Sequence, residues 1–250
     1  MYPAAVSSDA YGPLYSRIAM LMRQRILAGQ WAPQSQIPTI EGLMAEFGAS
    51  RVTIRLALDM LERDGLIERF RGKGTFVTDR GEGFYRIRLG QKWHTLIEAL
   101  EGTIPRLLET VDDVMPPGDE GLGKCRLADS YVRLKRVHVR QNIAFAVMHI
   151  HLHRGWYRSA ADRFNHELII PVLQSLEGLK IGHAHQSLSI GCAEPEVAAH
   201  LGVPIGVPVG MLRRVICDDE GLAVYVGDYT YRGDMVRMEV DLDLSEDGEG

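Results

Sequence analysis

Ser50-Arg51-Val52-Thr53-Ile54-Arg55-Leu56-Ala57-Leu58-Asp59-Met60-Leu61 and its sequel Gly65-Leu66-Ile67-Glu68-Arg69-Phe70-Arg71-Gly72-Lys73-Gly74-Thr75-Phe76-Val77-Thr78 decide the N-terminal fold. In the first run Ile54, Ala57, Leu58 and Leu61 recur at three- and four-residue steps, the period of a helix with one apolar face. Ser50 stands at the N-cap, where its hydroxyl can take a first-turn backbone N–H. Arg51 and Arg55 sit one turn apart beside the apolar stripe. No acidic residue occupies that first turn, so its dipole is free to meet a phosphate. In the sequel, two short β-type runs around a glycine-containing loop read as a hairpin.

Upstream, Leu14, Ile18, Leu21, Met22, Ile26 and Leu27 predict a first helix that Gly29 and Pro33 end. Pro38 and Thr39 open a short second helix with Ile40, Leu43, Met44 and Phe47 apolar, and Gly48 is placed to end it. Three short helices followed by a hairpin are the parts of a winged helix-turn-helix. A helix of this kind fits the major groove, where every base pair shows its own donor and acceptor pattern. Arg69, Arg71 and Lys73 flank the hairpin tip, and Gly72 and Gly74 let backbone come close to DNA. Leu56, off the core stripe, suits either a thymine methyl or packing on a neighbouring helix.

The whole chain is 250 residues, 46% hydrophobic and 24% charged, which excludes wholesale disorder and allows one large domain or two smaller ones. No apolar run reaches the roughly 18 residues of a membrane span, so no membrane partner is expected. Met1–Tyr15 lacks the pattern of a signal peptide. Cys125, Cys192 and Cys217 are odd in number and widely spaced; they read as small buried apolar groups and fit a reducing cytoplasm. The net charge of −5 argues against nucleic acid until it is split by position. Residues 1–80 carry ten Lys and Arg against eight Asp and Glu; the rest carry eighteen against twenty-five, with all nine histidines. Two chemistries imply two domains with different partners.

Residues 79–92, with Gly81, Gly83 and mixed charge, read as a linker. Beyond it, 131–139 and 143–152 form β-rich runs around Arg140-Gln141-Asn142, and 183–191, 208–217, 222–231 and 235–242 give four more. Helices are expected at 93–102, 164–176 and 194–201. The chain is then a winged helix-turn-helix over 1–78, a linker, a mostly antiparallel α+β domain over 93–244, and an acidic tail over 245–250.

Residues 13–78 resemble the DNA-binding domain of the GntR superfamily of bacterial transcription regulators. The likeness runs through Pro13-Leu14-Tyr15, Arg25-Ile26, Phe47-Gly48, Ser50–Leu58, Gly65-Leu66-Ile67 and Gly72–Val77. It implies that Ser50, Arg51, Thr53, Arg55 and the wing glycine Gly74 meet operator DNA, with Arg71 and Lys73 beside them. Two positions depart from the family. Pro33-Gln34 replaces Pro-Gly, which points to a different turn. Glu41 stands where the second helix commonly carries an arginine, and a carboxylate there repels phosphate or accepts from a cytosine amine. The second domain resembles the UTRA effector domain, the histidine-utilisation-repressor-like branch, with a chorismate-lyase-like fold. The supporting runs are Arg133–His138, Ile181–Ala184, Leu201–Pro204, Pro208–Arg214, Asp219-Glu220-Gly221 and Tyr231–Asp234, with 115–130 shorter than is usual.

This resemblance implies a homodimeric repressor controlled by a small anionic or polar metabolite, with no cofactor. It places the effector at Arg136, His138 and Tyr231. His138 replaces a usual arginine, which disfavours a sugar phosphate and leaves room for a carboxylate or an azole, and Tyr225 falls near a usual acid. Arg136 fits an internal ion pair equally well. Arg213 and Arg214 point to opposite faces, so at most one can serve a pocket. His149, His151 and His153 share one strand face, but steps of two residues put them ~7 Å apart, far for three ligands of one metal; binding an acidic effector or ordinary surface positions are the other readings. The rival function is an enzyme of chorismate-lyase-like fold acting on a small carboxylate. The sequence offers no phosphate loop, serine-histidine-aspartate elbow or Cys-x-x-Cys in its favour.

Overall fold

The computed structural model describes residues 13–79, 87–89, 102–118 and 121–238. The expected helix at 93–102 (all but its last residue), the end of the 235–242 strand and the acidic tail lie outside them.

The N-terminal unit opens with α1 (Leu14–Leu27), α2 (Ile40–Phe47) and α3 (Arg51–Arg63) and closes with the hairpin β1 (Ile67–Phe70) and β2 (Gly74–Val77). Thr39 caps α2 by accepting from Gly42 N at 3.2 Å, and Gly48 ends it at φ 59°. Ser50 caps α3 by accepting from Thr53 N, also at 3.2 Å. Ile54, Ala57, Leu58 and Leu61 are buried in one cluster with Ile18, Ala19, Met22 and Leu43. Each such Leu or Ile contributes ~1.5–3 kcal/mol relative to exposure. Leu56 stays exposed, so it is not packed on a neighbouring helix. Gln34 lies in the left-handed region at φ 62°. The turn thus keeps a conformation that suits glycine although the residue has changed.

The C-terminal unit is a six-stranded antiparallel sheet, ordered β4 (Ile104–Val114), β5 (Tyr131–Arg140), β6 (Ile143–His153), β9 (Ala223–Arg232), β8 (Pro208–Asp218) and β7 (Ile181–Cys192). The expected strands appear within a few residues of their bounds. β4 was not foreseen. It is an edge strand with two register irregularities and mostly exposed side chains, so no alternation shows in Leu107-Leu108-Glu109-Thr110-Val111-Asp112-Asp113.

α4 (Arg154–Ser159) was not expected; the single helix expected at 164–176 is instead α5 (Ala161–His166) and α6 (Ile169–Ser175), and α7 (Pro195–Leu201) matches its expectation. The break falls at Glu167, which is extended at φ −101°, ψ 171°. Pro171 has no N–H to donate to the carbonyl four residues back, so the helix cannot run through. Phe164, Ile169, Ile170, Val172 and Leu173 join the core cluster that includes Leu134, Met148, Ile150, Leu152, Leu212 and Tyr229. On the other face, Leu201 packs on Val137, Val139 and Val147.

Two features tie the units together, a strand pairing and an ion-pair cluster. Inside the segment expected to be a plain linker, β3 (Ile87–Leu89) pairs in parallel with β10 (Val236–Met238). At the turn between β9 and β10, Asp234 takes two hydrogen bonds from Arg232, Nε at 3.0 Å and Nη2 at 2.8 Å. Arg23 of α1 lies with Nε 2.8 Å from the same carboxylate and also pairs with Asp64 after α3.

Cys125 and Cys217 form a disulfide. This corrects the expectation of unpaired thiols: the two are 92 residues apart in sequence, a distance that spacing arguments cannot close, yet their Cα atoms stand 5.9 Å apart. Cys192 is free and exposed.

Candidate nucleic-acid interface and ligand pocket

The start of α3 carries the first set of expected residues. The Ser50 hydroxyl is 2.8 Å from the Thr53 hydroxyl and is engaged in capping, so both fix the helix end while remaining at the surface. Arg51 forms an ion pair with Glu41 of α2, with both side chains at least half exposed. Arg55, Arg71 and Lys73 are exposed and join no ion pair among the described residues. Arg69 differs. It folds back onto α3, donating to Asp59 at 2.6 Å and lying 3.5 Å from Glu62, which removes it from the tip. At Gly74, φ is 112° and a Cβ would stand 2.3 Å from the Gln36 amide nitrogen, which itself donates to the Lys73 carbonyl. A side chain there would push Gln36 out and disturb the wing. Gln36 gave no sequence signal, because it acts through a contact 37 residues away.

The second set lies on the core-facing side of the sheet. Register runs Arg136 to Met148 to Tyr229, and His138 to Ala146 to Tyr231, so two basic positions of β5 share a face with two tyrosines of β9. Arg136 is fully buried. Its Nη1 donates to the Glu167 carbonyl at 2.8 Å, while Nε and Nη2 have no partner. Burial pulls its pKa down to about 10, which leaves it protonated at neutral pH. It forms no ion pair within the chain, so that alternative is removed among the described residues. His138 is buried with Nδ1 unpartnered, and burial, then Arg136 and Arg140, push its pKa down to about 3. It is therefore a neutral imidazole at neutral pH and not a cation. Its ring meets Phe145 edge-on, Phe145 stacks on Tyr231, and Tyr231 stacks on Tyr229 at 5.7 Å.

Further residues complete this face. Arg214 is buried, donates to Gln186 Oε1 at 2.9 and 3.2 Å, and lies 5.3 Å over the Tyr229 ring. The Tyr225 and Tyr229 hydroxyls are hydrogen-bonded to each other. Burial raises the pKa values of Tyr225 and Tyr231, so both hydroxyls stay protonated and able to donate. Arg213 points the other way, to Asp228 at 3.2 Å and to the Pro117 carbonyl at 3.0 Å. The signal for Arg214, Tyr225 and Tyr229 was present in the sequence as period-two alternation in runs already read as strands.

His149, His151 and His153 lie on the opposite face, away from Arg136. His149 pairs across to Lys135 and Asp228, His151 is buried beside Arg133, and His153 Nδ1 accepts from Trp156 N to cap α4. Among the described residues no group of three His, Cys, Asp or Glu is placed to hold a metal ion. A cavity of about 270 Å³ opens at the junction of the two units, lined by Arg23, Asp64, Asn142, His200 and Arg232 among others; Arg136, His138 and Tyr231 do not line it.

Comparison with known proteins gives two family matches. Residues 14–77 match the family model "Bacterial regulatory proteins, gntR family", and residues 113–237 match the UTRA domain. The transcriptional repressor NagR of Bacillus subtilis is 25% identical over 229 residues, 89% of this chain and 91% of that protein. The histidine utilization repressor of Pseudomonas putida is 43% identical over 75 residues, 30% of each chain. Among solved structures, PhnF from Mycobacterium smegmatis superimposes with a TM-score of 0.57 at 21% identity, covering 90% of this chain and 99% of that one. YydK of Bacillus subtilis gives 0.54 at 21%, covering 92% of this chain and 100% of that one. No helix among the described residues is long and apolar enough to cross a membrane.

Proposed function

The chain belongs to the bacterial GntR family in its UTRA branch and is a DNA-binding transcription regulator; we propose that it is a cytoplasmic repressor whose hold on operator DNA is set by a small anionic metabolite bound against Arg136, His138 and Tyr231. The repressor reading is supported by the names of its relatives NagR and the histidine utilization repressor. Ser50, Arg51, Thr53 and Arg55 present the start of α3 to the major groove, and Arg71, Lys73 and the Gly74 backbone of the wing meet phosphates alongside. Two copies act together, since a dimer can span two operator half-sites. The second unit binds its ligand without turning it over.

The observation that carries the ligand half is Arg136, a buried guanidinium with two nitrogens unpartnered. A charge in that state costs several kcal/mol unless an anion joins it. A neutral His138 offers one hydrogen bond and no second charge, which suits a singly charged carboxylate better than a sugar phosphate. The signal has a short way to travel, because Tyr231 is followed by Arg232 and Asp234, whose carboxylate meets Arg23 of the DNA-binding unit.

A thermal-shift screen of the full chain against small carboxylates, amino acids and sugar phosphates tests this. A ligand at 100 times its dissociation constant adds about 2.7 kcal/mol to the folded state. The same ligand should change operator retention in a gel shift and should be recovered unchanged after incubation. A ligand that binds Arg136→Ala as tightly as the wild type would place the pocket elsewhere.

A further inference from the structure

We propose that Glu41 and Arg51 form one base-reading unit, in which the Glu41 carboxylate aims the Arg51 guanidinium at a guanine and itself accepts from the amine of an adjacent cytosine. The inference rests on the reading of α3 as the operator-facing helix. It starts from a contrast among the basic residues of this surface. Arg55, Arg71 and Lys73 are exposed without ion pairs among the described residues, so each reaches base or phosphate by itself. Arg69 is pinned to Asp59 and Glu62 and is withdrawn. Arg51 alone among these is paired and still largely open to solvent itself, with side-chain exposures of 52% for Arg51 and 64% for Glu41 against 32% for Arg69.

A lone carboxylate on this surface would face the phosphates of both strands and be repelled. Joined to Arg51, it reaches DNA as part of a pair with no net charge. Such a pair gains little from the backbone, whose attraction is a matter of charge. Its remaining hydrogen-bonding groups are suited to base edges. The guanidinium has five N–H donors, and Nη2 spends one on Glu41. A two-donor edge is left for guanine O6 and N7, while the carboxylate, with about four lone-pair sites, keeps room beside Arg51, its own backbone N–H and Thr39 to accept from the cytosine N4 amine, the pairings that major-groove geometry favours. Both members are held at their bases. Glu41 stands in the first turn of α2, where its backbone N–H and then Arg51 hold the carboxyl below its usual pKa, so it stays ionised. Arg51 is the first residue of a helix start that Ser50 and Thr53 cap.

The test is selection of duplexes from a randomised pool by the full-length protein as wild type, Glu41→Ala and Arg51→Ala, followed by titration of the selected site at several salt concentrations. The wild type should select a guanine and a neighbouring cytosine within each half-site. Glu41→Ala should lose the cytosine preference, about tenfold for one charge-assisted hydrogen bond, and keep the preferences set by Arg55. Its salt slope should steepen by about one, because the freed Arg51 turns to phosphate. Arg51→Ala should lose the guanine preference with little change in slope. Both side chains are exposed, so thermal midpoints should match the wild type. An unchanged consensus in Glu41→Ala overturns the proposal. So does loss of guanine preference alone, which would make Glu41 a positioning residue with no base of its own. A wild type that selects no sequence overturns the DNA-binding reading itself, a different and separable failure.

Discussion

Asp234 is the residue whose removal should be felt in both halves of the molecule. Its side chain is 7% exposed, it accepts from Nε and Nη2 along one edge of Arg232, and it meets Arg23 from the other unit. Asp234→Ala strands Arg232, itself buried, while Arg23 keeps Asp64. Breaking a buried pair by removing one partner costs ~3–5 kcal/mol. With Arg23 still satisfied, the lower end applies, about 3 kcal/mol, or roughly 6–12 °C for a chain of this size.

The pH dependence gives an independent measure. Burial by itself would raise the Asp234 carboxyl, but Arg232 and Arg23 overrule it and hold it down at about 2, below its ordinary 3.8. A depressed carboxyl stabilises the fold above its unfolded pKa and loses that contribution as pH falls through the folded one. At ~1.4 kcal/mol per unit this amounts to roughly 2–3 kcal/mol. The stability gap between wild type and Asp234→Asn should therefore be full above pH 4 and shrink between pH 4 and 2. Thermal unfolding of the full chain followed by circular dichroism measures both quantities, and an Arg23→Ala cycle apportions the contact across the units. A gap under about 0.5 kcal/mol at pH 7, within the noise of an ordinary surface change, or one that holds constant down to pH 2, would refute the reasoning. Operator binding should persist in Asp234→Ala but respond less to ligand, since the direct link from β9 to α1 is gone.

Three further outcomes are expected. Arg55→Ala should weaken operator binding by about 1–3 kcal/mol if it reads a guanine, whereas Lys73→Ala should weaken all duplexes alike and flatten the salt slope by about 0.9; gel shifts at two salt concentrations separate them. Arg136→Ala should weaken ligand binding by about 2–5 kcal/mol by calorimetry, and wild-type affinity should not follow a histidine titration between pH 6 and 8, because His138 is neutral well below that range. Gln34→Gly should raise thermal stability by about 0.5–1 kcal/mol, the left-handed strain relieved less the added chain entropy of glycine.

What could be read from the sequence follows the range of the forces that produced it. The three N-terminal helices are specified within about four residues by an apolar stripe and a stop, with side-chain caps added at Thr39 for α2 and Ser50 for α3. The central strands were legible from their buried faces; of the two edge strands, β7 was legible and β4 was not, because register irregularities interrupt β4 at Leu107/Glu109 and Asp112/Val114 whereas β7 pairs without a break from His183 to Cys192. The Cys125–Cys217 bond, the Gln36 contact at Gly74 and the Arg23–Asp234 link each join residues far apart in sequence, and no local pattern marks them.

The ligand face shows how a local misreading hides a distant partner. The sequence reading expects one helix over 164–176, a span that contains Pro171. In the structure Pro171 stops the upstream helix from continuing, and Glu167 turns extended. The Glu167 carbonyl, which a residue other than proline at 171 could have engaged in an unbroken helix, is taken by Arg136 Nη1 at 2.8 Å. A continuous helix would have left that guanidinium without its one hydrogen-bond acceptor. The break that the pattern concealed is therefore what holds Arg136 in place, with its other two nitrogens free for a ligand.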